Sequence, residues 1–264
     1  MLFNPYKLKN TTLRNRIVMA PMTRSMSPGG VPTQAVIDYY ERRAKAEVGL
    51  IITEGIEVSH KASSAYPDVP RLDSEEARGA WKKVVSGIKK HDGAVVAQLW
   101  HCGGFRKLGM APEPEIPGHT ASGLVRPGKK VAHEMTIQDI NETIQAFASD
   151  AKFCEEIGFD GVEIHGAHGY LIDNFFWHGT NVRQDMYGGS TEERSQLATE
   201  IVKAIRSEVS SNFIVGLRFS QWKQQDYEAK LASTPEELKK VLTLPTEAGL
   251  DYLHSSMRRF WDSE

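Results

Sequence analysis

The feature that most constrains the fold is a regular alternation of short apolar runs with longer segments that carry helix signals. The runs are five to seven residues long, which is typical of strands buried on both faces. Strands that alternate with helical segments predict a parallel sheet with helical crossovers. Six strands are predicted, at 16–22, 49–53, 94–100, 160–165, 213–219 and 250–254.

Capping residues mark the helices between these runs. Ser190 with Glu193 has the spacing of a capping box, and Thr234 with Glu237 repeats it. Pro235 fits a first helical position, where the missing amide hydrogen is not needed. The predicted helices span 33–47, 74–91, 136–157, 191–208 and 235–248, and Gly93, Gly158 and Gly249 follow three of them.

The lengths of the loops indicate that the predicted sheet belongs to a barrel. Segments that lead from a helix to the next strand are short, whereas 101–135 and 166–190, which follow strands, are long. Long loops at one end of a parallel sheet build the active site of a (β/α)8 barrel. Such a barrel has eight strands, and each further strand–helix unit takes roughly 30 residues. We therefore predict a single domain over 1–264, an incomplete (β/α)8 TIM barrel that lacks strands 7 and 8.

Composition argues against several classes of partner. A formal net charge of −2 gives no positive potential that would attract nucleic acid or an anionic membrane. No run approaches the roughly 20 apolar residues of a membrane span, and the N-terminus carries no secretory signal. Cys102 and Cys154 are the only cysteines, which excludes a disulfide framework and predicts a cytoplasmic protein. The expected partner is a small molecule, and a homo-oligomer is left open.

The densest chemistry follows the fourth predicted strand, where His165, His168 and Tyr170 lie within six residues. Imidazole and phenol can donate hydrogen bonds to an oxygen that gains negative charge, and phenol can also supply a proton. Two alternatives stay open. The histidines could be structural, bonded to backbone at a barrel rim, or with His101 they could serve a metal-dependent barrel hydrolase.

Two further polar side chains interrupt apolar runs. Gln98 lies in the third predicted strand and Arg218 in the fifth. Burial of an amide or a guanidinium is costly unless a partner satisfies it, so both positions favour a binding role. Thr23 ends the first strand, where a hydroxyl could bind a ligand or simply suit the strand.

These segments together resemble the old yellow enzymes, the flavin-dependent ene reductases that are also called NADPH dehydrogenases. The resemblance rests on 15–24, on the strand ends 53–55, 97–101 and 216–219, and on the ordered match over 173–190. It extends over essentially all 264 residues, which is far more specific than a single glycine motif.

The resemblance implies FMN at the mouth of the barrel. Thr23 would donate its hydroxyl to a flavin carbonyl, Gln98 would match the amide edge of the ring, and Arg218 would favour its reduced, more negative form. Gly55 would allow close backbone approach. The implied cofactor-binding residues are Ala20, Pro21, Met22, Thr23, Gly55, Gln98 and Arg218.

The resemblance also implies a two-stage reaction with NADPH or NADH as hydride donor. The acceptor would be an activated alkene, an α,β-unsaturated carbonyl or nitro compound. His165 and His168 would hold its oxygen, and Tyr170 would protonate the α-carbon. No metal is implied.

One part of the family pattern has no counterpart in the sequence. In old yellow enzymes, strands 7 and 8 carry the phosphate site of FMN, and these strands would follow Glu264. The alternative reading is therefore a truncated, non-catalytic chain that cannot hold FMN.

Overall fold

The fold is built around one sheet of six parallel strands whose spatial order follows their order in the chain. The computed structural model describes residues 1–259 and 261. This sheet confirms the prediction of an incomplete (β/α)8 barrel. The strands are β1 (Val18–Met19), β2 (Leu50–Glu57), β3 (Ala94–Trp100), β4 (Gly161–His168), β5 (Ile214–Lys223) and β6 (Tyr252–Ser256).

Helices connect the strands, and their caps are the ones that the sequence marks. Ser190 and Thr136 form complete capping boxes, and the hydroxyls of Ser74 and Thr234 accept from backbone amides three residues on. These side chains satisfy amides that the first helical turn leaves unpaired. The helices are α1 (Gln34–Lys45), α2 (Glu75–Lys89), α3 (Ile137–Glu156), α4 (Leu171–Phe176), α5 (Thr191–Arg194), α6 (Gln196–Glu208) and α7 (Pro235–Glu247).

Alternation along the strands separates the packed core from the site. Val162 and Ile164 of β4 belong to the main hydrophobic core, which the helices share. Glu163 and His165 alternate with them and therefore occupy the opposite face of the sheet. Burial of both faces explains why β2, β3 and β4 read as continuous apolar runs.

The long excursion after β3 contains its own short strand pairs. His119–Thr120 runs parallel to His133–Glu134, and Leu124–Arg126 forms an antiparallel pair with Lys129–Lys130. A further antiparallel pair, Tyr6–Leu8 with Thr11–Leu13, precedes the barrel. Leu13 of that pair clusters with Leu50, Ile52, Ala94 and Val96 of β2 and β3.

The prediction for the first strand, 16–22, was too long. β1 has two residues, because Asn15 turns back on the chain and accepts from the Ile17 amide. After β1 the backbone leaves the sheet, and the Arg24 amide donates to the Glu54 carboxylate at 2.8 Å. β2 is longer than its prediction of 49–53 and stays buried through Glu57.

Two other predictions were wrong in detail. The single helix expected over 191–208 is divided at Ser195, since Arg194 is buried and donates to the Phe176 and Gly189 carbonyls. The segment 166–190 is not only a loop, because it contains the end of β4 and all of α4. Every residue of α4 is buried, so this helix has no exposed face and shows no amphipathic pattern.

β1 and β6 are the edges of the sheet within the described residues. A groove of about 410 Å³ separates them, and we call it the seam. Val18 and Leu253, one from each edge, line the seam and are 46% and 42% exposed. No helix in the described part of the chain is both long and apolar enough to cross a bilayer.

Candidate active site

A cavity of about 120 Å³ lies toward the C-terminal ends of β2 to β5. It gathers eight of the ten residues that the sequence analysis assigned to catalysis or cofactor binding. The other two lie elsewhere: Ala20 lines the seam, and Met22 is an exposed side chain. The cavity is lined by Pro21, Thr23, Gly55, Gln98, Trp100, His165, His168, Tyr170 and Arg218.

Strand register explains why residues so far apart in sequence meet here. Gly55 is opposite Gln98, and Gln98 is opposite Glu163. One level further along the strands, His165 is opposite Arg218. Directly opposed residues on one sheet face come within contact distance, so the parallel pairing assembles the polar lining.

Glu163 is the buried centre of this lining. Its carboxylate accepts from Gln98 Nε2 at 2.8 Å and from the Tyr252 hydroxyl at 3.0 Å, and His254 Nδ1 lies 2.9 Å away. The amide hydrogens of Gln98 are thereby directed toward Glu163, which turns the amide oxygen the other way. The sequence analysis missed Glu163. The available signal was an acidic residue two positions before His165 within an apolar strand.

Two glycines make room for aromatic side chains in this lining. A Cβ on Gly216 would lie 2.1 Å from the ring of Tyr252, which crosses that position to reach Glu163. A Cβ on Gly55 would lie 2.5 Å from the indole of Trp100. The sequence analysis expected Gly55 to admit a ligand, but its missing side chain makes room for Trp100.

His165 and His168 form an edge-to-face pair with ring centroids 5.1 Å apart, and Tyr170 lies 5.2 Å from His165. His165 is buried, and its Nδ1 has no hydrogen-bond partner among the described residues. Burial lowers the pKa of His165, and burial together with Arg218 lowers the pKa of His168 to about 3. Both imidazoles are therefore neutral near pH 7 and can donate one hydrogen each.

His168 has a left-handed backbone, with φ of +64°. This conformation is uncommon for a side chain with a Cβ and is found more often with His and Asn than with most residues. Contacts on three sides hold it. Its amide donates to Ser220 Oγ, its ring stacks on Trp222 at 4.4 Å, and its Nε2 lies 2.7 Å from Ser256 Oγ.

The phenol of Tyr170 lies between two polar neighbours. Its oxygen accepts from Gln224 Nε2 at 3.0 Å and lies 3.1 Å from the hydroxyl of Tyr66. Burial raises the pKa of Tyr170, and Tyr66 raises it further. The phenol therefore keeps its proton across the physiological range. Tyr66 and Gln224 were missed because only tertiary folding brings them to this hydroxyl.

Arg218 supplies the positive charge of the cavity. It donates from Nη2 to Ser256 Oγ at 2.9 Å, and its buried Nε has no partner among the described residues. Burial lowers the pKa of Arg218, and the Glu163 carboxylate opposes that shift. Ser256 thus contacts both Arg218 and His168.

A buried ion pair anchors the loop that carries Tyr170. Lys223 Nζ lies 2.6 Å from Asp173 Oδ1, and both side chains are fully buried. The other carboxylate oxygen accepts from the Gly169 amide at 2.6 Å. The end of β5 is thereby tied to the start of α4 just beside the site.

His101 lies outside the cavity. Its Nδ1 accepts from the Gly103 amide, and its Nε2 lies 3.0 Å from Nδ1 of His60. The histidines of the hydrolase alternative, His101 with His165 and His168, therefore do not converge, and the cluster in the described residues with metal-ligand spacing contains none of them.

The polar groups of the cavity fit the flat ring of FMN. Thr23 offers a hydroxyl, Gln98 an amide oxygen that points away from Glu163, and Arg218 a permanent cation with a buried, unpaired N–H. This set contains both donors and an acceptor, as the alternating carbonyl and N–H groups of the ring require. It contains no cluster of cations for a phosphate.

The comparisons with known proteins agree with this site. The model of the NADH:flavin oxidoreductase / NADH oxidase family matches residues 1–259. The chain is 37% identical over 247 residues to 12-oxophytodienoate reductase 2 from Arabidopsis thaliana, an alignment that covers 90% of this chain and 65% of that protein. Putative 12-oxophytodienoate reductase 4 from Oryza sativa subsp. japonica is 36% identical, with 83% of this chain and 58% of that protein covered.

A shorter relative and a solved structure extend the comparison. Putative 12-oxophytodienoate reductase-like protein 2A from Arabidopsis thaliana is 35% identical, with 90% of this chain and 88% of that protein covered. The old yellow enzyme homologue from Zymomonas mobilis superposes with a TM-score of 0.85 at 28% identity, over 96% of this chain and 72% of that one.

The chain spans less than two thirds of the length of the first two relatives, while the family match reaches from its first residue to Arg259. Sequence, strand order and cavity lead to one conclusion: the chain belongs to the NADH:flavin oxidoreductase / NADH oxidase family.

Proposed function

We propose that this chain is an FMN-dependent reductase that passes hydride from NADPH or NADH to the C=C bond of an α,β-unsaturated carbonyl or nitro compound. The observation that carries the proposal is the single cavity in which two neutral imidazoles, a protonated phenol and an arginine converge. The names of the relatives as 12-oxophytodienoate reductases support a carbonyl-bearing substrate.

Thr23, Gln98 and Arg218 are the residues proposed to hold the ring, with Pro21 and the backbone at Gly55 beside it. Ala20 and Met22 flank Pro21, which lines the cavity, so the backbone at both residues is still proposed to lie beside the ring. Bound FMN would supply a two-electron carrier that takes hydride from the nicotinamide and passes it to the alkene.

His165 and His168 are proposed to donate N–H groups to the carbonyl or nitro oxygen of the substrate. Neutral imidazoles suit this task, because they stabilise an oxygen that becomes negative without first surrendering a full charge. Tyr170 is proposed to give its proton to the α-carbon. The hydrogen bond from Gln224 would stabilise the phenolate that remains.

The remaining proposals concern the context of the chain. The domain is proposed to extend over 1–264 as one FMN-binding unit. Two free, buried cysteines support a reducing compartment such as the cytoplasm. The near-neutral charge speaks against nucleic acid as a partner, and a homo-oligomer is kept as a further proposal.

The test uses the 264-residue chain itself with added FMN. Flavin binding is followed by quenching of flavin fluorescence, reduction by bleaching of the flavin absorbance with NADPH, and turnover with 2-cyclohexen-1-one. We expect Tyr170→Phe to lower enone turnover by about 10²- to 10⁴-fold, the usual contribution of a positioned general acid, while NADPH still bleaches the flavin. Tyr39→Phe, on α1, is the matched control and should leave both steps unchanged.

Two results would contradict the proposal. If the chain binds no FMN at any concentration tested, the non-catalytic alternative is correct for this polypeptide. If FMN binds and is reduced, but Tyr170→Phe turns over the enone as fast as the unaltered chain, the phenol is not the proton donor.

A further inference from the structure

Four histidines form a continuous row outside the candidate active-site cavity. The row runs from His101 through His60 and His119 to His133, and successive ring centroids are 5.1, 5.4 and 4.7 Å apart. None of the four lines the cavity of about 120 Å³. The outer end of the row has the spacing of a metal site.

Local pairing brings the outer two histidines together. His119 and His133 are directly opposite each other on the short parallel pair that follows β3. Asp139 lies in the first turn of α3, six residues after His133. One nitrogen from each histidine and one oxygen from the aspartate all lie within 4.8 Å of one another.

One histidine of this group has a buried nitrogen without a hydrogen-bond partner in the described residues. His119 is 3% exposed, and its Nδ1 has no hydrogen-bond partner among the described residues. The neighbouring His60 carries a second buried nitrogen, Nε2, that also lacks a partner within the described residues. An unpaired buried polar atom costs free energy, so the unpaired Nδ1 of His119 indicates a ligand at this cluster.

The carboxylate is already oriented for coordination. Asp139 Oδ2 accepts from the Thr136 amide at 2.8 Å and from the Thr136 hydroxyl at 2.7 Å. Metal-binding carboxylates and imidazoles are commonly held by such outer hydrogen bonds. His133 Nε2 lies 2.8 Å from the same oxygen.

We propose that His119, His133 and Asp139 bind one Zn²⁺ ion, with water in the fourth position. Two imidazoles and a carboxylate are ligands that zinc prefers, whereas magnesium and calcium take oxygen ligands. Ligand atoms about 2.1 Å from a tetrahedral ion lie roughly 3.4 Å apart, so binding separates His133 from Asp139 by ~0.6 Å. The hydrogen on His133 Nε2 moves to Nδ1 or leaves to solvent.

Binding of the zinc ion would link two separate parts of the chain. His119 and His133 belong to the excursion 101–135, and Asp139 belongs to α3, so one ion would tie the excursion to the helix. His60, next in the row, borders an open groove against α3.

The test is a zinc titration of protein that has been dialysed against a chelator, with a chromophoric chelator as competitor. We expect one equivalent of Zn²⁺ to bind and Mg²⁺ not to compete. His133→Gln and Asp139→Asn should each weaken binding at least tenfold, because each removes or neutralises a ligand. The matched control is His178→Gln, which alters an exposed histidine outside the row and should bind as the unaltered protein does.

A second measurement does not depend on the variants. X-ray absorption of the zinc-loaded protein should show nitrogen and oxygen ligands with the scattering pattern of two imidazoles, and zinc should slow proteolysis within 101–135. The proposal is overturned if no stoichiometric zinc binds. It is also overturned if both variants bind zinc as tightly as the His178→Gln control, since His133–Asp139 would then be only a hydrogen bond at the helix cap.

Discussion

The candidate active-site cavity and the seam are built from the same sheet, but their side chains are buried to different degrees and have different partners. Around the cavity, β3 and β4 are each paired on both sides, and polar side chains such as Glu163 are buried with three partners. At the seam, β1 and β6 are each paired on one side within the described residues, and apolar side chains such as Val18 are half exposed.

This difference shows which part of the sheet holds the polar side chains of the cavity in position. Gln98, His165 and Arg218 lie on doubly paired strands, so strand register is sufficient to bring these three side chains together. The seam contributes apolar contacts whose burial is partial. The same type of substitution should therefore cost much more unfolding free energy beside the cavity than at the seam.

The largest effect is expected from Lys223→Met, beside the cavity. The substitution removes the cationic partner of the buried Asp173 side chain, which typically costs about 3–5 kcal/mol. Chemical denaturation should show this loss, with Lys230→Met, at an exposed lysine, as the control within about 0.5 kcal/mol of the unaltered chain. A loss below about 1 kcal/mol would mean that the pair does not anchor the Tyr170 loop.

Leu217 and Leu253 offer a direct comparison, because they are opposite each other on β5 and β6. Leu217 is fully buried and Leu253 is 42% exposed. Leu217→Ala should cost about 2–5 kcal/mol of unfolding free energy, whereas Leu253→Ala should cost less than about 1. Equal losses in parallel denaturation curves would break the distinction between the two regions.

Glu54 joins the two regions, since this buried β2 carboxyl accepts from the Arg24 amide beyond β1. Burial raises its pKa to about 7, although the Arg24 amide and charge oppose the shift. The folded carboxyl therefore keeps its proton up to about pH 7, whereas the unfolded one, with the ordinary glutamate pKa of 4.5, releases it earlier. The Glu54 contribution to stability must fall as pH rises from about 4.5 to 7.

Glu54→Gln removes this titration. The stability of the variant relative to the unaltered chain should rise by ~3 kcal/mol across that window, at about 1.4 kcal/mol per unit of pKa difference. The measurement is a series of denaturation curves between pH 4 and 8. A difference that stays constant with pH would show that Glu54 titrates normally.

The smallest effect is expected at the seam itself. Val18→Thr replaces a half-exposed methyl with a hydroxyl that water can reach, so it should change stability by less than about 0.5 kcal/mol. Val96→Thr makes the same change at a fully buried position of β3 and should cost about 1–3 kcal/mol. Comparable thermal shifts for the two variants would contradict the partial burial of the seam.

The sequence predicted the elements whose signals are local. The centres of the paired strands were found because burial on both faces demands apolar runs, and the caps at Ser190 and Thr234 were found because capping needs only nearby residues. The length of β1 was not predictable, since the turn at Asn15 and the Arg24–Glu54 contact depend on tertiary folding.

The residues of the candidate site divide in the same way, into those with a local sequence signal and those that only tertiary folding brings together. Gln98, His165 and Arg218 stood out as polar residues in or beside apolar runs, and the structure brings them into one cavity. Tyr66 was missed because its contact with Tyr170 spans 104 residues. Glu163 left a local signal, but its role emerges only when its partners from other strands surround it.

The position of Ser256 has a consequence for the electronic state of the site. The hydroxyl has a single hydrogen, and Arg218, which can only donate, already occupies one of its lone pairs. Donation of that hydrogen to His168 Nε2 satisfies both groups and selects one tautomer, in which the imidazole hydrogen resides on Nδ1. A serine on the last strand of the sheet would thus decide which edge of His168 is electrophilic.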